Sequence, residues 1–182
     1  SFEDGKWYVV RNAEQYGPVT VNSRIVNNGT AHLILVDGAK LTVKGGIQNE
    51  EGKSLTIYGQ SGGTGALTTE GVAASYAGIG GYGQNINGGT LIINGGKVTA
   101  TGGSEGAGIG AGGIHVPAEP GAKGGTITIN GGTIYAQGGQ NGAGIGDGFK
   151  GRGSTITING GTVYATGGPD GAGIGGGYKS TG

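Results

Sequence analysis

The 182-residue sequence predicts an all-β fold, a parallel β-helix of about five coils with three short strands in each. Two observations lead to this prediction. The string Ala-Gly-Ile-Gly recurs at intervals of roughly 30 residues, a period typical of solenoids. Between its copies, apolar and polar residues alternate in short runs, which is typical of strands with one buried face. The copies are Ala77–Gly80, Ala107–Gly110, Ala143–Gly146 and Ala172–Gly175.

Three units share one form, G-G-T-I-T-I-N-G-G-T-V-Y-A-T-G-G followed by the Ala-Gly-Ile-Gly string. They are Gly88–Gly112, Gly124–Gly148 and Gly153–Gly177. In the last unit we predict strands at Thr155–Ile158, Thr162–Thr166 and Ala172–Gly175. Apolar side chains alternate there with polar residues or glycine, so the apolar ones are predicted to face inward. Glycine and Asn-Gly pairs separate the strands, and both accept the positive φ angles of tight corners.

The upstream half fits the same frame with more divergence. Ser54–Gly59 and Ala66–Gly71 are predicted to be the first two strands of one coil, and Leu33–Gly38 and Lys40–Gly45 those of the coil before it. The stack is predicted to begin near Val19. The alignment gives three ladders of inward side chains: Val36, Ile57, Ile93, Ile129 and Ile158; Leu41, Leu67, Val98, Ile134 and Val163; and Ile79, Ile109, Ile145 and Ile174.

The chain divides into two parts. Residues 1–18 lie outside the repeat and are predicted to form an N-terminal cap, in which Trp7 covers the first coil. Residues 19–182 are predicted to form a single β-helix repeat domain. Because the sequence contains no methionine, even at its first position, we expect it to be a fragment of a longer protein.

The composition excludes several classes of protein. Glycine accounts for 50 residues and proline for only 4, so the chain is not collagen, which needs abundant proline. Basic and acidic residues balance at 11 each, which argues against binding to nucleic acid. There is no cysteine, and no apolar run is long enough to insert into a membrane.

The runs HLILVDGAKLTVKGGI and SLTIYGQSGGTGAL, followed by GAGIGGG and by units of the form GGTITINGGTVYATGG, resemble modules in large surface proteins of Gram-positive, often gut-dwelling, bacteria. The resemblance covers most of the chain from Val19 onward. It implies a right-handed parallel β-helix of the pectate-lyase-like class and an extracellular or cell-surface location. That class includes polysaccharide lyases, hydrolases, carbohydrate-binding modules and adhesins, so the fold does not by itself fix the function.

Acidic residues within the coils are sparse, and no two are predicted to share a strand face in adjacent coils. We therefore predict no catalytic residues. Neither a metal site nor a cofactor is predicted, although a lone calcium ion near Asp147 or Asp170 stays open. Asp37 is predicted to cap a turn at a corner of stacked asparagines, Asn94, Asn130 and Asn159.

The outward face of the second strand carries the candidate carbohydrate site. Tyr135 and Tyr164 are predicted to stack in one outward column that also contains Thr99, with Lys97 and Gln137 in the flanking columns. An aromatic ring covers the apolar face of a pyranose while nearby polar groups bind its hydroxyls, so this face is predicted to bind sugar. Exposed tyrosine is also common in strands, where neighbouring rings stabilise each other, and this purely structural interpretation stays open.

A second aromatic set follows the Ala-Gly-Ile-Gly copies and is a second candidate sugar site. It consists of Tyr82, Phe149 and Tyr178. On the first strand, outward columns are predicted to start at Leu33 and Leu35 and to continue mainly through threonine, which resembles the flat faces of ice-binding proteins.

The third strand is predicted to expose a nearly bare glycine face. The outward positions run from Gly78 and Gly80 to Gly173 and Gly175. A sheet without side chains carries a cost in conformational entropy, so close approach by a loop, a subunit or a flat ligand is predicted there.

The predicted function is a non-catalytic carbohydrate-recognition or adhesion module, with a polysaccharide or host glycan and neighbouring domains of the same chain as partners. Nucleic acid and membranes are not predicted partners. Three alternatives stay open: a structural stalk that carries other domains, a fragment of a polysaccharide lyase or hydrolase, and an ice-binding protein.

Overall fold

The computed structural model describes residues 1–11, 17–83, 86–114 and 121–181, and over these residues the chain forms eighteen β-strands and no helix. This part of the chain accordingly has no helical segment long and apolar enough to cross a membrane. In chain order the strands are β1 (Lys6–Val10), β2 (Val19–Val21), β3 (Ile25–Val26), β4 (Thr30–Leu35), β5 (Lys40–Lys44), β6 (Ile47–Gln48), β7 (Ser54–Gly59), β8 (Ala66–Glu70), β9 (Ile79–Gly80), β10 (Thr90–Ile93), β11 (Lys97–Thr101), β12 (Ile109–Gly110), β13 (Gly125–Ile129), β14 (Thr133–Gln137), β15 (Ile145–Gly146), β16 (Ser154–Ile158), β17 (Thr162–Thr166) and β18 (Ile174–Gly175).

The described strands form three six-stranded sheets that enclose the core. The first sheet runs β1-β4-β7-β10-β13-β16, the second β2-β5-β8-β11-β14-β17, and the third β3-β6-β9-β12-β15-β18. Neighbours in a sheet are parallel and one coil apart in sequence, which is the topology of a parallel β-helix. The fold is a right-handed parallel β-helix, the hand that connections between parallel strands adopt. The predicted fold class is confirmed.

The stack has six coils instead of five, because its first strand lies upstream of the predicted start of the repeat. β1 pairs in parallel with β4 and places Trp7 beside His32. The prediction that Trp7 covers the first coil is wrong, because its side chain is 57% exposed on the outer face. Phe2 is the aromatic residue buried at this end, and its backbone bridges to Asn27.

Two of the three predicted ladders are confirmed. In the second sheet, Leu41, Leu67 and Val98 lie in one inward column and are buried. In the third sheet, Ile79 and Ile109 belong to an inward column that Ile25 begins. Burial of each such side chain contributes about 1.5–3 kcal/mol, so these columns are the main source of stability.

The register of the first sheet differs from the prediction in its upstream part. Leu33, not Val36, lies in the column of Ile57. Leu33 and Leu35 are therefore buried, and the outward columns begin at Thr30 and at Trp7 and His32. The predicted register would have exposed Leu33 and Leu35. The observed register is shifted by an odd number of residues, and because side chains alternate across a strand, this shift turns both leucines inward. Their burial therefore favours the observed register.

An asparagine ladder joins the last three coils at the end of the first sheet, as predicted. The amide nitrogen of Asn130 donates to the side-chain oxygen of Asn94 at 2.8 Å, and that of Asn159 donates to Asn130 at 2.8 Å. A second pair was not predicted: buried Asn27 donates to buried Asn49 at 2.8 Å. Each amide satisfies its neighbour along the axis, so polar groups at these corners remain hydrogen-bonded.

Asp37 caps a turn, as predicted, but it lies outside the asparagine ladder. The strand register places it in the loop after β4, where its carboxylate accepts hydrogen bonds from the amides of Gly62 at 2.9 Å and Thr64 at 3.0 Å. The Thr64 hydroxyl donates a third bond at 3.2 Å. Asp37 therefore ties the turn of one coil to the turn of the next.

The predicted bare glycine face is wrong, because the third-sheet glycines are buried between coils. Gly80, Gly110 and Gly146 have φ angles of 134°, 133° and 131°. A Cβ atom on Gly110 would lie 2.0 Å from the carbonyl oxygen of Gly146, and one on Gly80 would lie 2.1 Å from that of Gly110. What lies against these glycines is the backbone of the next coil, so no loop, subunit or ligand is needed to explain them.

The two ends of the stack differ in how well they are covered. In the first coil, Val10 and Ile25 are buried. In the sixth coil, Ile158 and Ile174 are 43% and 48% exposed, because β16 and β18 are the last described strands of their sheets.

We predict that Gly110→Ala lowers the free energy of unfolding far more than Gly175→Ala. Both residues have nearly the same φ, 133° and 129°, and so carry the same backbone strain of about 1–3 kcal/mol when substituted. Only Gly110 adds a clash with backbone, whereas the nearest atom to a Cβ on Gly175 is 3.7 Å away. Chemical denaturation followed by circular dichroism measures both.

A third variant controls for position in the stack. Gly63 lies in an interior coil, has a φ of 65° and has no atom within 4 Å of an added Cβ. Gly63→Ala should resemble Gly175→Ala. If all three variants lost the same free energy of unfolding, the close approach of the coils would not be what excludes a larger residue at Gly110.

We also predict a pH-dependent contribution from Asp37. Hydrogen bonds from the amide of Thr64, and then from Gly62 and the Thr64 hydroxyl, hold the pKa of Asp37 below its usual value. A depressed folded-state pKa stabilises the fold above the unfolded value of about 4, and this stabilisation is lost as the pH falls through the folded value. Asp37→Asn should therefore be less stable than the wild type at pH 7, with the difference shrinking towards pH 3. A stability difference that stays constant between pH 7 and pH 3 would contradict this prediction.

Candidate functional site

The outer face of the second sheet has the residue columns that the sequence predicts. Thr99 lies beside Tyr135, and Tyr135 beside Tyr164, in successive coils. Lys97 begins strand β11 and Gln137 ends strand β14, so they border this column on opposite sides. These positions follow from the alternation within β11, β14 and β17, whose inward residues are the buried ladder of the second sheet.

Tyr135 and Tyr164 form a face-to-face stack. Their ring centroids are 4.9 Å apart and the rings are inclined by 9°. Rings lying side by side in one plane would overlap at this separation, so the ring faces point along the helix axis and the edges point to solvent. The two rings therefore do not form a flat platform on the sheet.

Tyr164 is the more exposed of the two rings. The ammonium group of Lys97 lies 5.3 Å from the centroid of Tyr135, and Tyr164 stacks on Tyr135. Tyr164 belongs to β17, the last described strand of the sheet, and is 54% exposed, whereas Tyr135 is 38% exposed. Both rings therefore offer surface to a ligand, and Tyr164 offers more.

A depression of about 630 Å³ adjoins the stack on the same face. Two lysines and several threonine hydroxyls line it, and no carboxylate does; the polar lining includes Lys40, Thr42, Thr68, Lys97 and Thr99. Lys97 therefore belongs to both the depression and the aromatic stack. The lining can donate many hydrogen bonds to hydroxyl or carboxylate groups.

Gln137 also links two coils. Its side-chain nitrogen donates to the backbone oxygen of Gly138 at 3.0 Å and lies 3.5 Å from that of Gly167. The side chain therefore holds the corner between two coils, and its role in sugar binding stays a prediction.

The second predicted aromatic set is split in the structure. Phe149 and Tyr178 are stacked, with centroids 5.8 Å apart and an angle of 11°. Each is followed by a lysine with a left-handed backbone, Lys150 and Lys179, whose ammonium groups lie 5.6 and 5.2 Å from the respective ring centroids. Tyr82 lies apart from this pair.

Tyr82 belongs to a cluster that the sequence does not predict. Its ring lies 4.5 Å from that of Tyr76, and the guanidinium carbon of Arg24 lies 3.5 Å from the Tyr76 centroid and 4.0 Å from the Tyr82 centroid. Arg24 also donates to the backbone of Gly45 at 3.1 Å and to Gln48 at 3.3 Å. The cluster lines a hollow of about 460 Å³. No spacing signal connects Arg24 with Tyr76, because two coils of sequence separate them.

The pKa values of the Tyr76 and Tyr82 hydroxyls are shifted in opposite directions. The hydrogen bond from Tyr82, followed by the Arg24 guanidinium, lowers the pKa of Tyr76. The same bond and the charge of an ionised Tyr76 raise the pKa of Tyr82.

Asp147 accepts hydrogen bonds that link a loop to the sixth coil. It is buried, and its carboxylate accepts hydrogen bonds from the amide of Gly153 at 2.8 Å and the hydroxyls of Ser154 at 2.7 Å and Ser180 at 2.8 Å. These bonds fasten the loop after β15 to the sixth coil. Within the described ranges no group of three or more His, Asp and Glu residues could hold a metal ion.

A polar groove of about 470 Å³ lies where the first-sheet strands begin in the last four coils. One side chain from each coil borders it: Glu51, Asn87, Lys123 and Arg152. The Asn87 amide donates to Glu51 at 3.0 Å and its oxygen accepts from the Lys123 backbone at 3.0 Å. The sequence repeat does not predict this groove, because the residues that border the groove lie in linkers that differ from coil to coil.

A protein-family model described as Beta helix repeat matches residues 91–113, 127–149 and 156–178. These segments are β-helix repeats. Each begins in a strand of the first sheet and ends beyond a strand of the third sheet, so the matched segment spans one coil. No curated protein and no solved structure matches the chain.

We predict that Tyr82→Phe raises the pKa of Tyr76 towards the usual tyrosine value of about 10, because the variant lacks the hydroxyl that donates to Tyr76. Tyrosinate absorbance during a pH titration measures this. Subtracting the curve of the Tyr76→Phe variant, in the wild-type and Tyr82→Phe backgrounds, isolates Tyr76. Tyr178→Phe should leave the Tyr76 transition in place, and an unmoved transition in Tyr82→Phe would contradict the assignment.

Proposed function

We propose that this β-helix is a non-catalytic carbohydrate-recognition module whose second-sheet face binds a polysaccharide or host glycan. The observation that supports it best is the exposed aromatic column of Tyr135 and Tyr164 on the same sheet face as a polar depression lined by lysine and threonine. Sugar sites combine an aromatic surface for the apolar face of the ring with nearby groups that bind hydroxyls.

The geometry favours an extended glycan over a compact ligand. Successive coils repeat at about 4.8 Å, which is similar to the length of one pyranose in an extended chain. A glycan lying along the helix axis would run over the exposed edges of Tyr164 and Tyr135. Further units would then lie near the Lys97 ammonium and the Thr99 hydroxyl. Tyr135 also holds the Tyr164 ring in place.

The setting that we propose follows from the same chemistry. Polysaccharides and host glycans are found mainly outside cells, so the module would act at a cell surface or in the extracellular space. It would do so as one part of a larger protein that also carries neighbouring domains. The β-helix repeats are compatible with that arrangement, because a stack of coils presents several glycan-sized faces along its length.

We predict that Tyr164→Ala weakens glycan binding by about tenfold, because loss of an aromatic contact removes about 0.5–1.5 kcal/mol beyond its buried area. Tyr135→Ala should weaken binding less, since its ring is less exposed than that of Tyr164. An array of neutral and acidic glycans identifies the ligand, and isothermal titration calorimetry then measures its affinity for each variant.

Val72→Ala is the control, because Val72 is also an exposed large apolar residue but lies in the loop after β8. It should bind like the wild type. The proposal fails if the wild type binds no glycan, or if Tyr164→Ala binds as tightly as Val72→Ala. Far-ultraviolet circular dichroism confirms that each variant is folded.

A further inference from the structure

The first three strands of the first sheet, β1, β4 and β7, carry an aromatic cluster formed by Trp7, His32 and Tyr58. The rings of Trp7 and His32 are 4.1 Å apart and inclined by 17°. Trp7 also lies 5.5 Å from Tyr58 at 26°. One indole therefore rests against two rings from the second and third coils, and its orientation is fixed by them.

The indole nevertheless remains largely open to solvent. Trp7 is 57% exposed, and its neighbour Val9 is 44% exposed. An oriented aromatic surface that stays exposed is preorganised for a ligand, since little side-chain freedom is lost on binding.

The remainder of this face is rich in hydroxyls. In the column of Trp7 and His32, the later strands contribute Thr56, Ile92, Thr128 and Thr157, of which Thr56 is buried. The flanking outward column is Thr30, Ser54, Thr90, Thr126 and Thr155. Neither column contains a charged residue. In the last three coils, however, the flanking column lines the polar groove that Glu51, Lys123 and Arg152 border.

The extent of the apolar surface favours a sugar over a protein partner. Near this end of the face, Trp7 and Val9 are the large apolar residues that are exposed. A stable protein interface needs about 20–30 residues from each partner. One indole beside rows of hydroxyls matches a pyranose, whose apolar ring face stacks while its hydroxyls exchange hydrogen bonds with neighbouring groups.

We propose that the first-sheet face is a second glycan-binding surface, with Trp7 as its aromatic anchor and a neutral pyranose oligosaccharide as its ligand. This inference extends the proposed carbohydrate function to a separate face and to a defined ligand class. A neutral chain lies along the threonine rows with one terminal ring on the indole. No ion pair is involved, so binding at this face is insensitive to salt.

The test uses the fluorescence of Trp7, which is the only tryptophan in the chain. The 182-residue protein is titrated separately with cellohexaose, xylohexaose, mannohexaose and hexagalacturonate. At least one of the three neutral sugars should shift the Trp7 emission to shorter wavelength in a saturable manner that 0.5 M salt does not change. Trp7→Ala should lower the affinity for that sugar at least tenfold by calorimetry, and Trp7→Phe by less.

Tyr164→Ala separates this inference from the proposed function. It should leave the response of Trp7 unchanged. If Tyr164→Ala abolishes glycan binding and Trp7→Ala does not, the second-sheet site stands and the Trp7 surface is overturned. If Trp7→Ala abolishes glycan binding and Tyr164→Ala does not, only the second-sheet site is overturned. An emission unaffected by all four sugars at millimolar concentration overturns the proposal, and a response to hexagalacturonate only overturns its ligand class.

Discussion

The close approach of successive coils at the third sheet is the constraint on which the remaining structure depends. There the backbone of one coil occupies the space that a side chain of the preceding coil would need, as at Gly110 and Gly146. With that corner fixed, the first and second sheets are held in register from coil to coil. Apolar ladders, the asparagine ladder and the aromatic stacks are all consequences of this register, because like residues then meet their counterparts one coil away.

The same register decides what the aromatic residues can bind. Stacking along the axis covers the faces of rings within a column, and the rings on the outermost described strands, Tyr164 in the second sheet and Trp7 in the first, are more exposed than Tyr135. Tyr164 and Trp7 lie on opposite outermost described strands, on different faces, and next to different polar groups. Tyr135 orients its neighbour and offers a smaller surface of its own.

Much of this architecture could be predicted from the sequence, and the errors have identifiable causes. The ladders of the second and third sheets were predictable because β-branched residues alternate there with polar residues or glycine at constant spacing. The segment from His32 to Val36 offered two registers, and only burial of Leu33 and Leu35 distinguishes them. Alternation also cannot show which way a glycine faces, so the buried glycines were mistaken for exposed ones. The partnership of Tyr82 with Arg24 depends on loops of unequal length, for which the repeat provides no alignment.

The half-exposed sixth coil has a consequence for how the molecule opens. Each coil of a solenoid is stabilised mainly by its neighbours, so local unfolding begins where a neighbour is missing and proceeds coil by coil. In the 182-residue chain by itself, Ile158 and Ile174 place that weak point at one end, while Phe2, Val10 and Ile25 are buried at the other. The aromatic surface at Tyr164 therefore lies on the segment of this chain that frays first. Heating the 182-residue chain would disorder the Tyr164 surface before the Trp7 surface.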